Sequence, residues 1–240
     1  MNNPILGAKR APLPPAQPAS LLTDRAARWL LESGIQQPTG AVARYYRSDV
    51  EEMQAESTEI TGYATATFAY LHRLGGDARC LEAATRAGRY LARVAWDPAL
   101  ATIPFECSRQ RLAYFFDAGI IARGLLALWR ATGDAEFLQT ATACARSMAE
   151  DFRGPGGYHA VLTLPDKRPA PGDGRWSRQP GCYQLKSAMA WLELGEVRLY
   201  EDALASLLPA HPAFLEAAPD RERLMDRLHA YCYFLEGLLP

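Results

Sequence analysis

The stretch LHRLGGDARCLEAATRAGRYLARVAW, residues 71–96, decides the fold because a second stretch of the chain repeats its pattern. The second stretch, LWRATGDAEFLQTATACARSMAEDF, covers residues 128–152, and the Gly-Asp pair at 76–77 aligns with the pair at 133–134, 57 positions later. Glycine accepts the left-handed conformation that ends a helix, and aspartate then caps the free N–H groups of the next helix. Each stretch therefore predicts two antiparallel helices joined by a tight turn.

The two helices of each pair differ in how their apolar residues are distributed. In the second helix, apolar residues recur at helical spacing and charged residues occupy the other faces, which predicts an outer helix that is buried on one side. The first helix, ITGYATATFAYLHRL or AGIIARGLLALWRAT, is apolar or small over most of its circumference, which is typical of an inner helix. Gly62 and Gly119 occupy equivalent positions in these two inner helices.

The rest of the chain continues the pattern less regularly. Residues 182–208 predict a third inner helix and a shortened outer helix, and residues 226–239 predict a last inner helix that has no outer partner. The connections at 40–49, 97–115 and 154–181 are long, and the stretch YHAVLTL in the third predicts a short strand pair. Connections of this length usually carry function. The fold class is therefore all-α, with helical hairpins and short β-hairpin loops.

Composition narrows the class of protein. The chain has 240 residues, of which 49% are hydrophobic, and 26 basic residues stand against 27 acidic ones, so no nucleic-acid or lipid-surface partner is expected. No run of eighteen apolar residues occurs, so no membrane span is expected. The five cysteines contain no CxxC pair, and the N-terminus lacks the apolar core of a signal peptide, which together predict a cytoplasmic protein. The proline-rich residues 1–20 predict a flexible arm, and residues 21–240 a single domain.

The chain resembles the six-hairpin, or (α/α)6 toroid, superfamily in its alternation of inner and outer helices, its ATGDAEFL turn and its helix starts STEITGY and FFDAG. That superfamily contains glycoside hydrolases, unsaturated-uronyl hydrolases and sugar 2-epimerases. More closely, the segments GAVARYYRSD, YFFDAGIIARGLLALWRATGD and PGCYQLKSAMAWLELGE resemble a bacterial group of (α/α)-barrel proteins tied to polysaccharide biosynthesis and of undefined activity. A full toroid has six hairpins, and this sequence supplies about three and a half, which implies an arc or a C-terminally shortened toroid.

The resemblance also implies where a site would lie. Inner helices of such toroids run in the same direction, so their N-terminal ends and the long connections gather on one face. The proposed acid and base are Glu59 and Asp117, at the starts of the first two inner helices, with Glu106 as a substitute. The candidate substrate-binding residues come from the other helix starts and the covering loops: Tyr46, Tyr63, Glu106, Phe116, Trp176, Arg178, Tyr183, Lys186 and His229.

These residue types suit a carbohydrate ligand. Aromatic rings offer flat faces to the C–H side of a pyranose, and carboxylates, Arg and Lys satisfy its hydroxyls or a uronate charge. A glycosidase needs two carboxyl groups about 5–5.5 Å apart when it retains configuration and about 6.5–9.5 Å apart when it inverts. A separation of the Glu59 and Asp117 carboxyls beyond about 12 Å would exclude that mechanism. A sugar epimerase or isomerase would instead use His229 with Glu59 as proton carriers.

Each candidate also has a structural interpretation. Acids near helix N-termini stabilise the helix dipole, aromatic residues fill cores, and His229 on an apolar helix is typical of a hydrogen-bonded core histidine. Lys186, one turn into an apolar helix, reaches either a buried carboxylate or the pocket. The alternative to an enzyme is therefore a non-catalytic glycan-binding or scaffold protein of a polysaccharide assembly system.

Several other chemistries lack their sequence signals. The four histidines show no HExxH or Cys/His spacing, and no GxGxxG, GxxxxGK[ST] or GxSxG motif occurs, so neither a metal nor a cofactor is expected. Cys107 and Cys182 have no evident partner histidine and are expected to be inert. The last helix, lacking a partner, would expose Leu228, Leu235 and Leu238, which favours a homo-oligomer.

Overall fold

The computed structural model describes residues 21–106 and 111–239. The predicted arm, residues 1–20, and Cys107 lie outside the described residues. The chain divides into two compact units. Among the described residues, the first unit contains residues 21–96 with Arg123–Ala141, and the second contains Asp97–Ala122 with residues from Thr142 onward. The assignment of residues 21–240 to one domain stays a prediction.

The first unit contains the first helical hairpin and two short strand pairs that precede it. Strands β1 and β4 pair antiparallel, as do β2 and β3. The elements that lie wholly in this unit are α1 (Leu21–Glu32), β1 (Val42–Ala43), β2 (Tyr46–Arg47), β3 (Glu52–Met53), β4 (Glu56–Ser57), α2 (Thr58–Gly75), α3 (Ala78–Tyr90) and a π-helical turn (Leu91–Ala95).

The second hairpin consists of α4 (Phe115–Thr132) and α5 (Ala135–Glu150), and each of these helices contributes residues to both units. The other elements of the second unit are β5 (Leu112–Tyr114), β6 (Arg153–Gly154), β7 (Gly157–Tyr158), β8 (Val161–Thr163), β9 (Arg168–Pro169), α6 (Leu185–Glu193), α7 (Val197–Leu207), α8 (His211–Glu216) and α9 (Arg221–Gly237). Strand β8 lies between β5 and β9 in an antiparallel sheet, and β6 pairs with β7. Residues 158–164 therefore include the predicted strand.

Both predicted Gly-Asp turns are confirmed. Gly76 has φ of 74° and its N–H donates to the His72 carbonyl oxygen at 2.7 Å, while the Asp77 carboxylate accepts from the Arg79 N–H at 2.9 Å. At the second turn, Gly133 has φ of 75°, and Oδ1 of Asp134 accepts from the backbone N–H two residues later at 3.0 Å. Glycine and aspartate thus end one helix and start the next, as their chemistry predicts.

Helices of neighbouring hairpins approach one another closely at glycines. In the first unit, a Cβ on Gly124 would lie 2.3 Å from the carbonyl oxygen of Gly62, so α4 and α2 are in backbone contact there. In the second unit, a Cβ on Gly119 would lie 2.3 Å from Cβ of Ser187 in α6. The apolar, small-residue surfaces of these inner helices are therefore explained by close packing rather than by propensity alone.

The core of the second unit is built around aromatic rings. The ring of Phe115 lies 5.7 Å from that of Phe152, 5.2 Å from Tyr158 and 5.8 Å from Trp191, measured between centroids. Trp191 is fully buried, and its Nε1–H donates to the Ala145 carbonyl oxygen at 2.9 Å. The strand-to-helix junction at Phe115 is thereby fixed against α5 and α6, which sets the start of α4.

The last helix differs from the prediction in both length and burial. Helix α9 begins at Arg221, five residues before the predicted start, and the Asp220 carboxylate caps it by accepting from the Arg223 N–H at 2.8 Å. It buries only one face, the residues Arg227, Ala230, Phe234 and Gly237, and the short helix α8 packs against it. The stretch HPAFLEAAPD was not predicted to be helical because its apolar pattern spans less than two turns.

No helix within residues 21–106 and 111–239 combines the length and the hydropathy that crossing a lipid bilayer requires.

Substituting Gly124 with Ala tests the close approach of α4 to α2. Alanine is favoured over glycine in a helix by about 1 kcal/mol, but here its Cβ would overlap the Gly62 carbonyl oxygen. We expect Gly124→Ala to lower the free energy of unfolding by about 1–3 kcal/mol in urea denaturation. The matched control is Gly172→Ala, because a Cβ at Gly172 meets no atom within 4 Å. A stabilised Gly124→Ala variant would contradict the contact.

Candidate functional site

The start of α4 places a buried carboxylate among aromatic rings. Asp117 lies in the first turn of α4 and is 8% exposed, and its Oδ2 atom is shielded from solvent. The preceding Phe116 packs with its ring centroid 5.7 Å from Tyr183 and 5.0 Å from Tyr233. Ser187 Oγ donates to the Phe116 carbonyl oxygen at 2.8 Å, which ties the start of α4 to α6. The start of α4, which carries Asp117, is therefore tied to α6 and α9.

Tyr183 is a core residue that holds the neighbouring loop. It is 1% exposed, and its hydroxyl donates to the carbonyl oxygens of Gln179 at 3.0 Å and Ser177 at 3.3 Å. Burial, and next the negative charge of Asp117, raise the pKa of Tyr183 above its ordinary value. The hydroxyl therefore stays protonated and remains a donor to the loop. These contacts favour the structural interpretation of Tyr183 over contact with a sugar.

Lys186 pairs with a carboxylate that the sequence analysis did not identify. Its side chain is 8% exposed, and Nζ lies 2.8 Å from Oε2 of Glu236 in α9. The same ammonium group lies 4.3 Å from the ring centroid of Tyr233, a cation–π distance. A lysine this deeply buried requires such partners. The sequence predicted that Lys186 reaches either a buried carboxylate or the pocket. The structure shows a carboxylate partner, Glu236, whose own side chain is 50% exposed.

The loop before α6 positions Trp176 and Arg178 by specific contacts. Trp176 Nε1–H donates to Oδ2 of Asp226 at 2.8 Å, and its ring packs edge-on to Tyr183 with a centroid distance of 5.0 Å. Arg178 Nε–H donates to the Tyr114 hydroxyl at 3.1 Å, and Nη1 lies 3.2 Å from Oδ2 of Asp173. Both side chains are half-buried and form part of the surface beside Tyr183.

His229 lies on the exposed side of α9. Its Nε2 is 2.7 Å from the hydroxyl oxygen of Tyr233, one helical turn later, and the imidazole is exposed. The structural interpretation as a core histidine is therefore not supported. A proton-carrying role requires access to solvent or ligand, which this position allows.

Glu106 lies in a turn at the end of the first described range, residues 21–106. It has a positive φ of 51° and is half-buried, and it directly precedes residues 107–110. On the other side of that gap, Tyr114 packs on Phe105 with ring centroids 4.9 Å apart. Positive φ is uncommon for a residue other than glycine, so the backbone at Glu106 is constrained by its surroundings.

The remaining predicted residues lie in the first unit. Glu59 is half-buried in the first turn of α2, and the capping hydrogen bond there comes from Ser57, whose Oγ accepts from the Ile60 N–H at 3.3 Å. Tyr63 follows one turn later, and its hydroxyl oxygen is shielded from solvent. Tyr46 is 43% exposed on the β2–β3 hairpin. An exposed ring on a hairpin is available to a ligand, in contrast to the buried Tyr183.

Six of the predicted residues come together within the second unit. A chain of direct contacts joins four of them, Phe116, Tyr183, Trp176 and Lys186, the last through Tyr233. Asp117 directly follows Phe116 in the sequence, and Arg178, two residues after Trp176, contacts Tyr114 and Asp173. Asp173 is involved twice, because Arg175 donates two hydrogen bonds to its carboxylate and, with Arg178, lowers the pKa of Asp173 to about 2. This carboxylate is therefore ionised at neutral pH.

The polar side of α9 was not predicted from the sequence. Asp226, Tyr233 and Glu236 contact Trp176, Phe116 and Lys186, respectively. Together with His229 they follow a 3-4-3 spacing along the helix, which places them on one face. That polar stripe was a usable signal, but the apolar residues between its members dominated the assignment of α9 as an inner helix.

In the part of the chain that the structure describes, no three His, Cys, Asp or Glu residues form a group that could bind a metal ion. Burial raises the pKa of the Cys182 thiol to about 11 and that of Cys144 to about 12, so both are thiols at neutral pH. Cys182 therefore fits the inert interpretation.

Comparison with known proteins defines the fold. No protein-family model and no curated protein matches the sequence. Solved structures do match: a sugar epimerase from a ruminal bacterium has 13% identity and a TM-score of 0.65 over 90% of this chain and 69% of that one. A cellobiose 2-epimerase from Spirochaeta thermophila has 17% identity and a TM-score of 0.63 over 83% of this chain and 55% of that one.

A third match is a family 76 glycoside hydrolase from a bovine Bacteroides thetaiotaomicron strain, with 14% identity and a TM-score of 0.56, covering 82% of this chain and 46% of that one. These matches share the fold of the chain, so the predicted all-α arrangement of helical hairpins is confirmed. The chain spans about half the length of the second and third proteins. The resemblance to the polysaccharide-biosynthesis group stays a prediction.

Replacing Glu236 with Gln tests the pair that holds Lys186. The amide keeps an acceptor but removes the negative charge beside a buried ammonium group, so we expect a loss of about 1–2 kcal/mol in the free energy of unfolding. The value is below that of a fully buried pair because the Glu236 side chain is half exposed. Glu201→Gln, an exposed acid on α7, is the control. Equal stability of the two variants in urea denaturation would show that Lys186 does not need the Glu236 charge.

Proposed function

We propose that the protein is a carbohydrate-active enzyme that cleaves a glycosidic bond with Glu59 and Asp117 as its acid and base. The observation that carries this proposal is the buried carboxylate of Asp117 at the start of an inner helix, directly after Phe116, whose ring packs against Tyr183. Glycosidases require a carboxyl group whose surroundings keep it protonated, and a second carboxylate that acts as base or nucleophile. Glu59 is the matching acid at the start of α2.

The fold supports the same class of function. The similar structures are described as sugar epimerases and as a glycoside hydrolase, all of which act on carbohydrates. In the second unit, the half-buried Trp176 and Arg178 supply an aromatic surface and a guanidinium group, the combination that binds a pyranose ring and its polar substituents. The carbohydrate ligand is therefore proposed to contact these two side chains.

The second candidate is a sugar epimerase or isomerase. The exposed His229, within 2.7 Å of the Tyr233 hydroxyl, favours it, because an epimerase needs a proton carrier in addition to a carboxylate. The two candidates differ in products: a hydrolase releases reducing ends, whereas an epimerase leaves chain length unchanged. If the chain binds oligosaccharides but neither shortens nor epimerises them, it is the non-catalytic glycan-binding or scaffold protein.

We also propose a cytoplasmic location and a role in polysaccharide biosynthesis. Cys80, Cys144, Cys182 and Cys232 are free thiols, which supports a reducing compartment. The link to polysaccharide biosynthesis depends on the sequence resemblance of the helix starts and connections. Both are proposals about the context in which the chain acts rather than about its chemistry.

The outer face of α9 is proposed as the contact with a second copy of the chain. Its exposed residues Met225, Leu228, Cys232 and Leu235 recur at the 3-4-3 spacing of a coiled-coil seam, opposite the face that packs on the second unit. An antiparallel two-fold pairing centred between Tyr231 and Cys232 would place Leu228 opposite Leu235, so the face is complementary to itself.

Oligosaccharide turnover tests the proposed acid and base. Purified protein is screened against neutral and uronate-containing oligosaccharides, with product analysis by chromatography that resolves both chain length and epimers. We expect hydrolysis, and we expect Glu59→Gln and Asp117→Asn each to lower kcat by about 10²–10⁴-fold, because each removes one proton-transfer group. Glu201→Gln, with circular dichroism of every variant, controls for folding. Unchanged activity in both variants would remove this pair from the mechanism.

Light scattering tests the proposed contact through α9. We expect a dimer in the wild-type chain and a monomer in Leu228→Glu, because a charge in the seam opposes helix pairing. Leu208→Glu, at an exposed leucine after α7, is the control and should leave the dimer intact. Under mild oxidation, a Cys232 cross-link should form in wild type and be absent in Cys232→Ser. A monomeric wild-type chain at high concentration would refute the proposal.

A further inference from the structure

A groove in the second unit lies between the loop before α6 and the start of α9. Its volume is about 410 Å³. Trp176 forms part of its wall, and the charged residues that line it are Asp173, Arg175, Arg223, Asp226 and Arg227. The size is at the lower end of the range for small-molecule sites and fits one monosaccharide unit. Neither Glu59 nor Asp117 lines this groove.

The charges of the groove do not cancel. Three arginines face two aspartates, which leaves one positive charge in excess. The Asp173 carboxylate is engaged by Arg175 and Arg178, and the Asp226 carboxylate accepts the hydrogen bond of the Trp176 indole. Both acids are therefore occupied by partners inside the second unit.

Two of the arginines are also engaged. Arg175 binds Asp173, and Arg227 is 8% exposed, donates from Nη1 to the Phe214 carbonyl oxygen at 2.6 Å and stacks on the Phe214 ring. Arg223 differs from them. Within the described residues, no hydrogen bond or ion pair engages the guanidinium group of Arg223. Its backbone N–H donates to the carboxylate of Asp220, which caps α9. Arg223 is therefore the arginine of the groove whose guanidinium group is available to a ligand.

The position of the indole defines what can lie beside Arg223. The Trp176 ring is fixed by its hydrogen bond to Asp226 and by edge-on packing against Tyr183 and Phe214. A fixed aromatic wall suits the apolar face of a pyranose, and a free guanidinium group suits a planar or tetrahedral oxyanion that accepts two hydrogen bonds. The groove presents both within the space of a single sugar unit.

We propose that this groove is a subsite for one acidic sugar unit, with the oxyanion, a carboxylate or a phosphate, bound by Arg223 and the sugar ring placed against Trp176. The sugar part of this inference rests on the proposed carbohydrate function. The groove determines which saccharides the chain selects, because a neutral unit gains the aromatic contact without the ion pair. Arg175 and Arg227 act here as positioning residues for the loop and for α9.

Binding measurements with monosaccharide probes test the subsite without requiring turnover. The probes are D-glucuronate for the carboxylate, D-glucose 1-phosphate for the phosphate, D-glucose as the neutral sugar and inorganic phosphate as the anion without a sugar. Titration is followed by ligand-observed NMR on the full chain. We expect at least one of the two acidic sugars to bind about tenfold more tightly than both glucose and inorganic phosphate, and the preferred acid identifies the oxyanion.

Variants then locate the binding. Arg223→Gln should weaken binding of the preferred acidic sugar about tenfold and leave glucose unchanged, because it removes only the charged contact. Arg221→Gln is the matched control, since Arg221 is an exposed arginine on the same helix that does not line the groove. Equal losses in the two variants, or no preference for an acidic sugar over glucose, would overturn the subsite.

The outcomes separate this inference from the proposed function. Inorganic phosphate binding as tightly as the acidic sugars would show an anion site without a sugar contact, which contradicts the proposal. Acidic sugars that bind through Arg223 in a chain that turns over no oligosaccharide would retain the subsite and refute the hydrolase. Turnover that is insensitive to Arg223→Gln, with no acidic preference, would retain the hydrolase and refute the subsite.

Discussion

Backbone contact between helices is the constraint on which the rest of this structure depends. At Gly124 the backbone of α4 approaches the Gly62 carbonyl so closely that no Cβ fits, and at Gly119 it approaches Ser187 of α6 in the same way. Helices at this distance leave little room for large side chains between them, so the residues at their contact must be small and apolar. The start of α4 is then fixed, and the side chains that it presents, Phe116 and Asp117, have defined neighbours.

A buried charge organises the second unit around that fixed start. Helices α6 and α9 lie close together at Gly237, which has no side chain and so leaves room for the backbone of Leu185 and Lys186. This close packing buries the side chain of Lys186. The lysine then requires an anion, which Glu236 supplies, and an aromatic face, which Tyr233 supplies. Tyr233 in turn packs on Phe116. One polar stripe on α9 thus connects the helix start that carries Asp117 to the loop that carries Trp176.

The fold was largely predictable, whereas the site was predictable only as a set of residue types. Gly-Asp turns and helical periodicity are local, so residues 71–96 and 128–152 determined their hairpins without reference to the rest of the chain. The contacts of Trp176 with Asp226, and of Lys186 with Glu236, join residues 50 positions apart. No local pattern encodes such pairs, and for Tyr183 burial changed a predicted sugar contact into support for the loop.

By itself the sequence determined that the chain forms helical hairpins, where their turns lie, and which helices are buried on several sides, because caps and periodicity act over a few residues. Only the tertiary structure decided that α9 buries one face, that His229 is exposed, and that Arg223 is the groove arginine whose guanidinium group no other described residue engages. Burial and pairing are properties of neighbours in space, and those neighbours are set by packing between helices that are distant in the chain.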